Sequence, residues 1–429
     1  MATQTSSRLQ LWSACLGNFF EHYDAALFGF LSPFLAPLIF PELDLIVALI
    51  LTYAMIPLGM IARPLGAIFF GRIGDAYGRR QALFLTLAGM SVVSACVAIS
   101  PTFAQAGVIA PLLFCFSRFA QNFLSAGENM GGAIFLLENT CEEKHDILSS
   151  LYSASTIGGI ILASAGVSLL SLYGFLAEGW RLLYVLGCLT ALFGCLIRCK
   201  LPSGLIIQQT AVQNDPPQKN ILSVSDLLQI LWTYRRPLFI ISISAGFSYA
   251  NYSVALVLIN GFIPLISSLT KEHMIHLNTL LLVLDFALLP LFGWIASKIS
   301  REKMMLGAAL GIVASAIPLF MILENATLAS VIGVRICLVL FGVAFAAPFH
   351  AWAQPLVPPA HRYTVISFAH AIGSQLFGGP TVVISLWLFK STGMISSISW
   401  YWLALALVTS VALIRGLARD PIKNFDVYA

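Results

Sequence analysis

The sequence predicts an all-α integral membrane protein with twelve transmembrane helices arranged as two six-helix halves. Three observations lead there: the overall apolarity, the regular return of short charged loops, and the alternation of lysine and arginine between loops. Of 429 residues, 59% are hydrophobic and only 10% charged, and mean hydropathy is +0.88. A soluble domain carries about 25% charged residues. The deficit excludes both an ordinary soluble enzyme and a disordered chain. A bilayer suits such a chain, since each spanning helix needs about 20 apolar residues.

Apolar runs place spans near 12–38, 47–71, 81–100, 107–138, 148–172, 180–200, 237–267, 274–297, 303–321, 328–355, 363–389 and 396–418. The polar start MATQTSSRLQ leads straight into the first run, which is read as a retained helix and not a signal peptide. Connections are short except for 201–236, polar and marked by Pro216–Pro217, which reads as a linker between halves 1–200 and 237–429. Seventeen lysines and arginines fall on one side of the membrane and three on the other, with Arg63, Arg118 and Arg335 inside spans. The positive-inside rule then makes both termini and the linker cytoplasmic. The eight cysteines lie mostly in apolar runs with no C-x-x-C pair, so neither a disulfide framework nor a zinc site is expected.

The loop GRIGDAYGRR (71–80), between spans 2 and 3, returns in weaker form as GWIASKISRE (293–302), between spans 8 and 9. Both open on glycine and both carry an arginine at the ninth place, but Ser297 stands where the first has Asp75. Matching loops six spans apart indicate two parallel repeats, an organisation common in transporters. A carboxylate at Asp75 suits the N-terminus of a facing helix or an arginine across the halves. Asp75, Arg79, Arg80, Lys298 and Arg301 are therefore expected to form a cytoplasmic gate.

GRIGDAYGRR resembles the G-x-x-x-D-x-x-G-R-R loop motif of the major facilitator superfamily. With ARPLGAIFFG (62–71), GNFFEHYD (17–24), RFAQNFLSAGENMGGAIFLLE (118–138) and GWRLLYVLG (179–187), the chain is similar to the metabolite:proton symporter branch. His22 stands where that branch usually has tryptophan. The resemblance implies the major facilitator fold and the transport of a small solute such as proline, betaine or an organic acid.

Span 1 carries Asn18, Glu21 and Asp24 at three-residue spacing, and span 4 carries Arg118, Gln121, Ser125 and Glu128 in a similar stripe. At a rise of about 1.5 Å per residue, Glu21, Asp24 and Glu128 lie roughly 14–18 Å into a core about 30 Å thick. Holding an ionised acid there costs about 2.5–3.5 kcal/mol. Protonating a glutamate at pH 7 costs about 3.7 kcal/mol. The near balance makes such acids suited to carrying a coupled proton. Glu21, Asp24 and Glu128 are expected as the proton-coupling cluster, with Arg118, Gln121 and Asn18 binding substrate. The rival reading pairs one acid with Arg118 as a static lock. Asp285 is placed with the substrate-binding residues, where it could also serve coupling; the rival reading is a structural pair with Arg335 or a backbone group. His370 and Gln375 are placed at the cavity, and His22 is read as a packing residue ahead of a proton carrier.

No nucleotide-binding loop, H-E-x-x-H or nucleophile elbow occurs, so no cofactor or metal is expected, and the chain is not read as an enzyme. The expected function is secondary active transport by proton symport in a bacterial inner membrane. Its partners are a small solute, protons and lipid, with no nucleic acid, and the functional state is a monomer. An antiporter of organic acids and a non-transporting sensor are the rivals.

Overall fold

The computed structural model describes residues 2–41, 52, 59–199 and 224–417. Every expected span meets a helix over its described residues; most of the start of span 2 and most of the linker lie outside them. In chain order the long helices are α1 (Ala2–Ile39), α2 (Gly59–Ala76), α3 (Arg79–Ile99), α4 (Ile109–Glu138), α5 (His145–Leu172) and α6 (Leu176–Cys199). They continue with α7 (Arg235–Ile266), α8 (Lys271–Ile299), α9 (Arg301–Ile322), α10 (Leu328–Ala346), α11 (Arg362–Thr392) and α12 (Trp400–Leu417). Within the described part of the expected linker, Val224–Thr233 is a helix. Its sequence explains this, since VSDLLQILWT has helical apolar spacing and an acid, Asp226, in the first turn.

Nine helices among the described residues are long and apolar enough to cross a membrane. Helices α1, α2 and α4 fall outside that set because their polar and charged positions lower mean hydropathy. Those three helices supply most of the candidate site.

The chain forms two compact units. One gathers residues 1–140, 155–225 and 359–367, the other 141–154, 226–358 and 368–429. Each unit thus includes a short stretch from the opposite half of the sequence. In the first unit, α1 buries Tyr23, Leu27, Leu31, Leu35 and Ile39, one face at four-residue spacing. These side chains meet Val97 of α3, Phe114 of α4, Ala163 of α5 and Trp180 and Tyr184 of α6. The Tyr23 hydroxyl donates to the Leu183 carbonyl at 3.0 Å, so the stripe's one polar tip is satisfied.

Close backbone approach needs glycine at Gly66 and Gly159 in this unit. A side chain at Gly66 of α2 would run into the Phe123 carbonyl, and one at Gly159 of α5 into the Phe19 carbonyl. In the second unit, α7 and α11 approach at Gly373, where a Cβ would strike the Ser242 backbone. Both helices contain a π-helical turn, Ser253–Leu258 in α7 and Gly373–Gly378 in α11. Phe247 and Phe345 pack edge to face at 4.8 Å in the core.

The repeated loops share a backbone feature. Gly78 precedes α3 with φ 101° and Ser300 precedes α9 with φ 142°, each at the eighth place of its loop. Ser300 is the one non-glycine residue with positive φ among the described residues.

Gly66→Val should destabilise the folded protein by about 1–3 kcal/mol, the usual cost of overpacking. Thermal unfolding in detergent, read by a thiol-reactive dye, checks this against Gly29→Val, where the added side chain meets open space.

Candidate functional site

The first unit contains a small cleft, of about 10 Å³, bordered by α1, α2, α3 and α4. Its polar lining is Asp24, Arg63, Arg118, Gln121, Asn122 and Ser125. Helical spacing explains the α4 contribution, because residues 118, 121, 122 and 125 occupy one face. Arg118 donates to Gln121 Oε1 at 2.7 Å, and Gln121 Nε2 donates to Asp24 at 2.6 Å. The amide thus bridges a cation and a carboxylate that do not touch. Ser94 also donates to Asp24 at 2.6 Å. Arg118 lies 4.5 Å from the centre of the Phe28 ring, and its Nε has no partner among the described residues. Arg63 donates to Asn122 at 3.1 Å.

Glu21, one turn before Asp24 and fully buried, accepts from Ser125 and pairs with His22 Nδ1 at 2.5 Å. Asn18 is also buried but serves a different contact: its amide donates to Ser155 and Thr156 of α5, both at 2.8 Å. It fastens α1 to α5 and is absent from the cleft lining.

Glu128 meets an unexpected partner. Arg198 of α6 reaches both of its carboxylate oxygens, the Nη1 contact at 2.8 Å, and Thr86 donates to it at 2.9 Å. Arg198 also donates to the carbonyls of Leu83 and Ser13. The sequence reading put Arg198 among cytoplasmic surface charges; its side chain is in fact 2% exposed. Gly17 makes room for this pair, since a Cβ there would strike both side chains. A bidentate, hydrogen-bonded pair satisfies two buried charges at once and leaves Glu128 committed within α3, α4 and α6.

At the charge-rich end of the same unit, Asp75 accepts from the Tyr363 N–H at 3.2 Å, the Thr364 N–H at 2.9 Å and the Thr364 hydroxyl at 2.6 Å. These are first-turn groups of α11, where an anion completes unpaired N–H donors and meets the positive end of the helix dipole. Arg79 pairs with Asp75 at 2.5 Å and Glu138 at 3.2 Å, and Arg362 pairs with Glu138 at 2.9 Å. Burial pushes the Asp75 carboxyl above the ordinary range, against the pull of Arg79 and the Thr364 donors. Arg80 was expected in this cluster but turns away, donating to the Arg198 and Cys199 carbonyls at the C-terminus of α6.

In the second unit, Arg301 pairs with Asp146 at 3.0 Å and donates to the Ala351 carbonyl at 2.9 Å, while Lys298 is exposed. Asp285 is 1% exposed and accepts from Tyr252 at 3.0 Å. Arg335 does not pair with it; its guanidinium goes to the Ala255 carbonyl and to Asn278. His370 packs its ring against Phe349 at 5.9 Å, and Gln375 lies buried in the π-helical turn of α11.

The sequence reading left Arg63 and Ser94 out of the site. Arg63 had a signal, as a charge in an apolar run just before the loop motif. Ser94 had none, because a lone serine in an apolar helix usually bonds back to its own backbone.

A helical bundle with a charged, partly unsatisfied cleft inside it defines a membrane transporter. The backbone matches that of a proton:xylose symporter of the major facilitator superfamily with a TM-score of 0.74, covering 96% of each chain at 15% identity. It matches an E. coli fucose:proton symporter with a TM-score of 0.70, covering 96% of this chain and 99% of the other, at 15% identity. The family model described as "Sugar (and other) transporter" matches residues 11–415, and the chain belongs to that family. Among curated relatives, a putative proline/betaine transporter of Staphylococcus aureus (strain COL) is 26% identical over 92% of this chain and 84% of its own length. The glycine betaine/proline/ectoine/pipecolic acid transporter OusA of Dickeya dadantii (strain 3937) is 25% identical over 97% and 85%.

Breaking the Glu128–Arg198 pair from one side should cost about 3–5 kcal/mol. Arg198→Gln should therefore lower the unfolding temperature sharply, and Glu128→Gln with Arg198→Gln together should recover part of the loss. A double-mutant cycle by thermal unfolding measures the coupling.

Proposed function

We propose that this chain is a proton-coupled symporter working by alternating access in a bacterial plasma membrane, both termini on the cytoplasmic side. The substrate is a small zwitterion of the proline or betaine kind. One observation carries the reading: a cleft that holds a buried carboxylate, Asp24, linked to but not paired with the Arg118 guanidinium. Such a carboxylate changes protonation when a substrate's charges arrive, because a nearby charge shifts the balance between its two states. A zwitterion offers its carboxylate to Arg118, while the proton that travels with it neutralises Asp24. The relatives' printed substrates and the lysine and arginine asymmetry support the solute class and the orientation.

Coupling is assigned to Glu21 and Asp24. Glu128, expected as the third member, is assigned with Arg198 to holding α4 and α6 together. The contacts of Asp75, Arg79 and Glu138 with the first turn of α11 are assigned as the cytoplasmic latch that opens during the cycle. A second reading rests on Arg63. With two guanidinium groups on the cleft, a substrate of net negative charge, such as a monocarboxylate, also fits. A thermal-shift screen of the purified protein against amino acids, betaines and organic acids at two pH values separates the two readings.

Asp24→Asn should reduce gradient-driven accumulation of the stabilising solute at least about tenfold while leaving counterflow within a few-fold of wild type. Proteoliposomes with an imposed pH gradient test this, and accumulation that ignores the gradient in the wild-type protein would overturn proton coupling. Asp75→Asn should weaken the latch by about 1–3 kcal/mol. A cysteine at position 122, in a background without the native cysteines, should then label several-fold faster from the cytoplasmic face of inverted vesicles.

A further inference from the structure

The mechanism above leaves unused a titratable side chain in contact with Glu21. His22 lies between α1 and α4, with Nδ1 2.5 Å from Glu21 Oε2 and 2.9 Å from the Asn18 carbonyl, and Nε2 3.4 Å from the Asn129 amide. The Glu21 side chain is fully buried whereas His22 is 15% exposed. Among the described residues, His22 is the one cation within ion-pair distance of Glu21.

That partner is unlike the others. The remaining ion pairs join a carboxylate to an arginine, which holds its charge at any working pH. An imidazole changes charge between about pH 5 and 8. No other described charge lies within ion-pair distance of Glu21, although the Arg63 guanidinium is near enough for its charge to act on it. From α2, Arg63 is bound to Asn122. From α4, Arg118 is directed to Gln121, and Glu128 is held by Arg198 of α6, level with Gly17. From α5, the groups nearest this turn are the Ser155 and Thr156 hydroxyls on Asn18, and from α3 they are Thr86 and Ser94. The neighbouring acid on α1, Asp24, is bound to Ser94 and Gln121.

We propose that His22 and Glu21 together hold the coupled proton as one site, with His22 the member that exchanges it with water. This rests on the proton-symport reading and names the entry group for it. Hydronium gives its proton to the neutral imidazole and leaves as water. The Nδ1–H bond then breaks as an O–H bond forms on Glu21 Oε2, so imidazolium and carboxylate become neutral imidazole and neutral acid. Ser125 donates to the other oxygen of Glu21 and leaves Oε2 to the imidazole.

Two measurements on the full-length protein test this. In ¹⁵N-histidine-labelled protein in nanodiscs, the His22 signal is the one missing from His22→Gln. Its response to pH should differ between wild type and Glu21→Gln, as a proton shared across the 2.5 Å contact requires. An unchanged response overturns the shared site, and this arm needs no known substrate. In proteoliposomes, His22→Gln should lose at least about tenfold of pH-driven L-proline or glycine betaine accumulation and keep counterflow within about twofold. Wild-type accumulation in His22→Gln overturns the role of His22 alone. Loss of counterflow in a variant that unfolds like wild type makes His22 a structural or substrate contact and also overturns it. Accumulation by the wild-type protein that ignores the gradient sinks the symport reading instead.

Discussion

A charge placed where water is scarce must find a partner, and that requirement organises this molecule. Taking an ion out of water costs several kcal/mol even after the protein relaxes. The first unit meets the cost in three different ways on adjacent turns of the same helices. Glu128 takes a permanent cation, Arg198, at full bidentate geometry. Glu21 takes a cation that can lose its charge. Asp24 takes only neutral donors, Ser94 and Gln121. An arginine pair, an imidazole contact and a pair of neutral donors thus coexist in one unit.

The same logic separates the loop charges. Arg79 sits among Asp75, Glu138 and the first turn of α11, whereas Arg80, its neighbour in sequence, satisfies the carbonyls that end α6. Consecutive residues at a helix start diverge by about 100°, so one arginine of the pair faces inward and the other reaches the neighbouring helix end. A doubled arginine is thus two different devices. One joins the unit to a segment from the far half of the sequence, and the other caps a helix.

Much of this was legible in the sequence. The spans followed from hydropathy, and Glu21, Asp24, Arg118 and Gln121 were visible because polar residues at helical spacing in an apolar run need a reason. Asp75 was legible as an acid among bases at a helix junction, and the α11 N-terminus that receives it was among the expected partners. What stayed hidden was pairing. Arg198 looks like an ordinary flanking charge because it is the second-last residue of its helix, and only the packing of α6 against α3 and α4 turns it inward. Asn18 looked like a substrate ligand by its spacing, yet the hydroxyls of α5 claim it. His22 and Glu21 are adjacent in the chain, which ordinarily sends helical side chains apart, so their contact had no periodic signal.

The turn before α9 has an implication of its own. Ser300 adopts a backbone conformation that glycine tolerates and serine resists, and it does so at the place where Gly78 stands in the first loop. Side chains in the second copy have drifted, Asp75's counterpart among them, but the bend has not. Its shape is therefore imposed by the two helices it joins, and the loop residue merely submits to it. The second loop thus keeps a positive-φ bend at the same place while sharing only part of the first loop's residues.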